Sequence, residues 1–554
     1  HTLEKHVDGS RELHKWAGEL YLEYHRGTYT SMARNKKYNR RSEFLYEDCE
    51  LYSLLANELT GAIYPKQDLY DSWQVILRNQ FHDILPGSSI KEVYDDSRVE
   101  YEGILAKGRE IESAGLNRLA SQIAAPEGSL VVFNPNNRPL TDAVIAVVPE
   151  GMAVYGSDGM PLDQQRLKEG GLLVVTDGVP GKGYKSYKVG KTNVEMAESD
   201  MVISTTLMEN MFYRIALNEK GQFSSIYDKR NDRELLTKGE CGNVIMSYED
   251  RPHNFDAWDL NNYYTEKSWE VDDVESIEVI EDGPVRGGIR IVRKYLDSVI
   301  AQNIYMYAGL DRIDIKNEID WKEHQIFLRA LYPVDIHTSE ATFEIQYGNV
   351  KRPTHANTSW DFAKFEVCAH KWLDVSEDDY GVSILNDCKY GCSVKNGVIG
   401  LSMLKSAIDP NPEADKEHHE FTYSIVPHEG DWRKAGTVER AYVLNNPATA
   451  VIKQNEGGTL KPEYSLVSCD SENVVIEVVK QAEDSDDVII RLYENYNRRT
   501  DCTLSFGKEI AFAAECNMLE ETAATCDDDL TFDDRHISFR IMPYEIKTIK
   551  VKLK

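Results

Sequence analysis

His82 and Asp83 stand side by side in Asn79-Gln80-Phe81-His82-Asp83-Ile84-Leu85-Pro86-Gly87-Ser88-Ser89. An imidazole next to a carboxylate can ligate a metal or meet a hydroxyl, provided the chain aims both away from the core. A second group of chemistry-bearing residues is Tyr248-Glu249-Asp250-Arg251-Pro252-His253-Asn254-Phe255-Asp256-Ala257-Trp258-Asp259. Asp256 and Asp259 flank Trp258 in a stretch without periodicity. Carboxylates accept from sugar hydroxyls while an indole covers the apolar face of the ring, so the composition suits a sugar site as well as a plain surface turn. His25 and Tyr29 follow a run of alternating apolar residues from Gly18, which reads as a strand entering an exposed, hydrogen-bonded loop.

The His-Asp pair needs a helical corner to present it. Leu69, Trp73, Ile76, Leu77 and Gln80 recur at helical spacing, and Pro86-Gly87 stops that run. Pro65 opens this helix. Ser89 and Glu92 have capping-box spacing, so another helix should begin at once and run from about Ile90 to Ala124. An earlier helix is predicted from Asn39, with Leu45, Cys49, Tyr52, Leu55 and Leu59 on one face and Gly61 at its end. Lys36, Lys37, Arg40 and Arg41 read as its solvated start. Three antiparallel helices with short connections make a small bundle.

After Pro126-Glu127-Gly128 the texture changes to short β-branched or aromatic runs separated by Gly, Asn, Asp and Pro, for example Leu172 to Thr176, Val488 to Tyr493 and Ile541 to Val551. This predicts an α+β multidomain chain that is mainly β: a three-helix bundle followed by β-sandwich domains, with a large one in the centre. The predicted units are 1–38, a remnant or linker from a preceding domain that carries a site loop; 39–125, the bundle; 126–195, a small sandwich; 196–455, the large sandwich; and 456–554, a last sandwich. A linker is expected near Gln454 to Tyr464.

Composition excludes several roles. The 554 residues carry 63 Lys plus Arg against 93 Asp plus Glu, a formal charge of −30, which repels a phosphate backbone and argues against nucleic acid. No apolar run approaches the roughly 20 residues of a membrane helix. Nine scattered cysteines without a CxxC pair fit free thiols in a reducing compartment, hence a cytoplasmic expectation. Cys388 and Cys392, four apart, read as core packing rather than a metal or redox pair. His6-Val7-Asp8, with His1 and His14 nearby, has metal-ligand types but lies in a terminus where ligands are poorly organised. No Gly-rich phosphate loop, G-x-S-x-G elbow or HExxH is present.

Four segments together resemble the α-mannosidases of glycoside hydrolase family 38, especially its cytosolic branch: GELYLEYHRGTYTS at 18–31, NQFHDILPGSS at 79–89, YEDRPHNFDAWD at 248–259 and EIQYGNVKRPTHANTSWDFAKFEVCAHKW at 344–372. The resemblance implies an N-terminal α/β domain, a three-helix middle domain and C-terminal sandwiches including a supersandwich, of which only the last two parts are matched. It implies one Zn²⁺, with His82 as a ligand, and sugar contacts from Asp83, His25, Tyr29, Asp256, Trp258 and Asp259. The catalytic carboxylates and remaining zinc ligands are expected in the unmatched N-terminal domain of the same protein, so the chain is expected to be inactive alone. The implied activity is retaining exo-hydrolysis of α-mannoside oligosaccharides by an oligomeric enzyme. A carbohydrate-binding or scaffold protein without catalysis is the alternative, followed by another supersandwich carbohydrate enzyme.

Overall fold

The computed structural model describes residues 15–192, 200–522 and 530–554. The His6-Val7-Asp8 group, with His1 and His14, and also Cys526 lie outside the described residues. Three helices come first: α1, Ala33–Thr60; α2, Lys66–Asn79; and α3, Lys91–Gln122. They pack through Tyr46, Cys49, Leu69, Ile76, Tyr101, Ile104 and Ile111. Gly61 ends α1 at φ +69°, its amide returning to the Asn57 carbonyl, a left-handed stop that glycine adopts without a Cβ penalty.

Four local expectations are corrected. The helix predicted from Asn39 starts at Ala33, because the Asp415 carboxylate accepts the amides of Met32 (2.9 Å) and Ala33 (2.7 Å) from more than 380 residues away. Lys36 and Arg40, read as solvated, are buried there. The Ser89–Glu92 capping box is not made: the helix is capped at Ile90 without a side-chain bond, and Ser89 Oγ instead donates to the Asp83 carbonyl at 2.9 Å. The strand predicted before His25 is replaced by two 3₁₀ turns, Glu23–His25 and Gly27–Tyr29. This segment pairs with no neighbouring strand; side chains hold it, with Arg352 gripping Glu19 at 2.7 and 2.8 Å and Tyr21 donating to the Glu366 carbonyl.

From Leu130 onward the chain is nearly all antiparallel sheet. A nine-stranded sheet runs in the order Asp273–Asp282, Arg286–Tyr295, Ser298–Tyr307, Ile313–Asp320, His418–Glu429, Tyr380–Asn386, Trp372–Ser376, Glu340–Ile345, Gly348–Pro353. A six-stranded sheet faces it, with Val244–Glu249, Ile326–Pro333 and Val398–Lys405 at its centre. Between them lies one apolar core including Ile289, Ile304, Ile315, Leu328, Leu401 and Ile425, as inward-facing alternate residues of two stacked sheets require. Leu130–Asn134 and Gly183–Lys191 form a smaller sheet that also takes in Thr449–Ile452 and Glu463–Ser465, so the stretch expected as a linker contributes an edge strand. The last unit stacks two four-stranded sheets. In it the run predicted over Ile541 to Val551 breaks into His536–Ile541 and Ile546–Leu553.

Candidate functional site

The chain leaves α2 at Asn79 and turns sharply through 80–89. The amides of Ile84 and Leu85 return to the Phe81 carbonyl (2.9 and 3.1 Å), and that of Ser88 to the Asp83 carbonyl (3.2 Å). Lys36, buried on α1, donates its ammonium to the carbonyls of Ser31, Leu85 (3.1 Å) and Pro86 (3.2 Å). Burial pulls its pKa down to about 7, opposed by the nearby Asp415 carboxylate. Tyr94 on α3 donates to the Asp83 and Ile84 carbonyls at 3.2 and 3.1 Å. The corner is thus held by turn amides, Lys36 and Tyr94, while two of its side chains reach solvent: that of His82 is 77% exposed and that of Asp83 42%, with Nε2 3.4 Å from Oδ2 and the Ser88 hydroxyl donating to Oδ1 at 3.1 Å. Phe81 lies against the imidazole at 4.2 Å between ring centroids, the two planes tilted by 44°.

The structure brings this corner against the two other segments singled out in the sequence. Gly27 and Thr28 donate their amides to the Trp258 carbonyl at 2.8 and 3.3 Å, and Ser31 Oγ donates to the Ala257 carbonyl at 2.7 Å. Two glycines permit that closeness. A Cβ on Gly27 would lie 2.8 Å from the Asp259 carbonyl oxygen, and one on Gly87, at φ +94°, would lie 2.4 Å from that of Ser31. Met32, Tyr94, Ala257, Ala407 and Ala414 pack beneath, joined by Ile84 and Trp258.

The side chains of the 250–259 loop divide by role. Asp256 and Asp259 are buried, each 8% exposed. Asp256 Oδ2 accepts the Ile408 amide at 2.7 Å; Asp259 accepts the Leu260 amide at 2.8 Å and Asn261 Nδ2 at 3.1 Å, and lies 3.6 Å from Arg26. Both oxygens of Asp259 and one of Asp256 therefore hold the loop's own shape. Trp258 is half-buried, with Phe255 edge-on at 6.2 Å. His25 is exposed at the start of the neighbouring turn. Tyr29 points elsewhere: burial pushes its phenol pKa up, and it lines a cavity of about 1000 Å³ between α1, α2 and the sandwiches, together with Lys36, Arg40, Glu43, Trp73 and His370.

Residues that position the site but escaped the sequence reading are Lys36, Asp415, Asp250 and Lys405. Lys405 and Asp250 form a fully buried ion pair under the loop, with Asp256 Oδ1 3.8 Å from the same ammonium. A Lys inside an otherwise apolar strand run, Val398–Lys405, was the available signal, since a buried ammonium needs a partner. A zinc ion does not fit the described residues of this corner by themselves. His82 and Asp83 offer two donors where a catalytic zinc takes about three protein ligands and an open position. Among the described residues, the only group of three or more metal-ligating side chains close enough to share an ion is Cys469, Asp470 and Cys502, in the last sandwich.

A three-helix bundle followed by a supersandwich and a smaller sandwich, with three loops meeting at a corner, defines a class of protein, and comparison with known proteins specifies it. Residues 23–119 match the alpha mannosidase middle domain, 208–413 the glycosyl hydrolases family 38 C-terminal domain, and 473–549 the family 38 C-terminal beta sandwich domain. The chain carries the middle and C-terminal domains of glycosyl hydrolase family 38.

Among curated relatives, it is 33% identical over 556 residues to alpha-mannosidase 2C1 of Homo sapiens, covering 98% of this chain and 51% of that protein. It is 30% identical over 588 residues to alpha-mannosidase G of Dictyostelium discoideum, covering 97% and 53%. The chain thus spans about half the length of the curated relatives it matches. An alpha-mannosidase from Enterococcus faecalis V583 has the same fold, with TM-score 0.82 over 96% of this chain and 69% of that one, at 16% identity.

Proposed function

We propose that this chain forms one wall of the active site of a zinc-dependent, retaining exo-α-mannosidase that releases terminal mannose from α-mannoside oligosaccharides. The observation that carries the reading is the convergence of the 25–31, 79–89 and 250–259 segments around a corner held by Lys36, Tyr94 and turn amides while His82 and Asp83 face outward. His82 is one metal ligand and Asp83 a sugar-hydroxyl acceptor, with His25 and Trp258 lining the approach. Asp256 and Asp259 set the loop's shape, and Tyr29 braces the first loop from the cavity side. Zinc, when bound, orients two sugar hydroxyls and acts as a Lewis acid. Its other ligands, and the carboxylate pair about 5–5.5 Å apart that retaining hydrolysis needs, come from the part of the enzyme that its longer relatives have beyond the matched half.

The chain alone is then inactive. The cysteine pattern supports a cytoplasmic location: Cys49, Cys241, Cys368, Cys388, Cys392, Cys469 and Cys502 are thiols outside any disulfide. Assembly as a homo-oligomer belongs to the same proposal. The test is His82→Ala in the full-length enzyme, measuring zinc content and mannose release from an aryl α-mannoside. Loss of both is expected; unchanged metal and turnover overturn the assignment. The second reading, carbohydrate binding without catalysis, rests on the half-buried Trp258 and the exposed His25 on adjoining loops. It predicts calorimetric binding of mannose oligosaccharides by residues 1–554 without zinc.

A further inference from the structure

The last sandwich holds a pair of cysteines that the mannosidase reading does not use. The edge strand Val467–Cys469 pairs antiparallel with Thr500–Phe506, placing Cys469 opposite Leu504 and Cys502 one diagonal step away on the same inward face. Their sulfurs lie 3.3 Å apart, and both residues are buried, 7% and 2% exposed. The Ser471 amide donates to the Cys469 sulfur at 3.4 Å, and Arg138 reaches across from the smaller sandwich to the Cys469 and Ser471 carbonyls.

We propose that Cys469 and Cys502 are a reversible modification site, a thiol pair that closes to a disulfide when a peroxide accepts its two electrons. Cys469 is the attacking sulfur. The Cys502 thiol first, and then the N–H of Ser471, favour its thiolate, holding its pKa below the ordinary thiol range against the opposing effect of burial. That thiolate attacks one peroxide oxygen, giving a sulfenic acid and releasing hydroxide, which takes the thiol proton and leaves as water. Cys502 then attacks the sulfenic sulfur, its proton and the expelled hydroxide leaving as a second water. The net change is two thiols and one hydrogen peroxide to one disulfide and two waters.

The bond would tie an edge strand to its neighbour across 33 positions of chain, closing over the hairpin Val474–Gln481 and Val488–Glu494. The competing use of these groups is a metal site, since Asp470 adds a third donor. Two features disfavour it. One oxygen of the Asp470 carboxylate, Oδ1, already accepts both the Thr503 amide (2.9 Å) and the Ser471 hydroxyl (2.8 Å), and the Arg138 guanidinium brings positive charge alongside.

The experiment treats the whole chain with hydrogen peroxide, denatures it in a thiol alkylating agent and counts labels by intact mass, followed by peptide mapping. Seven labels are expected after oxidation against nine before, with peptides containing residues 469 and 502 joined and dithiothreitol restoring all nine. Cys469→Ser and Cys502→Ala, checked for fold by circular dichroism, should each abolish that cross-link; if a variant does not fold, the wild-type peptide map decides. Nine labels after oxidation, a cross-link between other cysteines, or sulfinic acid at 469 without a cross-link would overturn the proposal. So would one equivalent of zinc in the reduced protein that is lost in Cys469→Ser.

Discussion

The two sides of the candidate site handle charge in opposite ways. At the 79–89 corner the charged side chains point outward and the backbone does the holding, through Lys36, Tyr94 and the turn's own amides. In the 250–259 loop the acids point inward and do the holding themselves, against Lys405, Arg26 and backbone amides. A residue type that suits sugar binding is thus diagnostic only where its hydrogen-bonding capacity is unspent. His82 meets that condition and Asp83 does so in part, its Oδ1 already accepting the Ser88 hydroxyl at 3.1 Å; Asp256 and Asp259 have mostly used theirs.

This contrast can be broken in order of size. Lys405→Met strips the Asp250 carboxylate of its partner at a fully buried position, and should destabilise the protein by about 3–5 kcal/mol in chemical denaturation. Next is a pH effect in the cavity beside α1 and α2. Glu50 of α1 is buried and its carboxyl pKa is pushed up to about 7, desolvation outweighing Lys480 and the Trp73 N–H bond. Its unfolded counterpart ionises near 4.5, so between those values the folded state binds the extra proton and stability falls as pH rises, levelling above 7. Glu50→Gln, which still accepts from Trp73, should remove that decline, on the order of 3 kcal/mol, read as a flatter Tm profile between pH 4.5 and 7.

Gly87→Ala puts a Cβ against the Ser31 carbonyl at a positive φ, and should cost about 2–3 kcal/mol, measured by the shift in denaturant midpoint. Lys36→Met removes a donor shared by three carbonyls, an expected loss of about 2 kcal/mol, with hydrogen exchange rising first at 84–88. His82→Ala should be the quietest change for folding, within about 0.5 kcal/mol, because the ring is mostly in solvent. A large destabilisation there would show that the imidazole is structural and erase the contrast.

Much of this was legible from spacing. The three helices and the change to β texture after Gly128 follow from local periodicity and turn chemistry, which act over a few residues, although the second helix ends at Asn79, before the Pro86-Gly87 expected to stop it. What spacing could not show are partners distant in sequence. Asp415 starts a helix at residue 33, Glu366 and Arg352 replace a predicted strand with turns, and the Asp83 carbonyl takes the Ser89 hydroxyl from its capping box. The same limit hid the direction of Asp256 and Asp259. Their loop packs beside the corner, and only the fold reveals Ile408 and Arg26 as their company.

The central claim is that the outward-facing imidazole at position 82 holds a metal in the intact enzyme. Anomalous diffraction at the zinc edge from crystals of the full-length protein tests it directly. The account predicts a zinc peak about 2.0–2.1 Å from a ring nitrogen of His82, in front of the loops containing Asp83 and Trp258. Zinc bound elsewhere, with His82 still open to solvent, would contradict it.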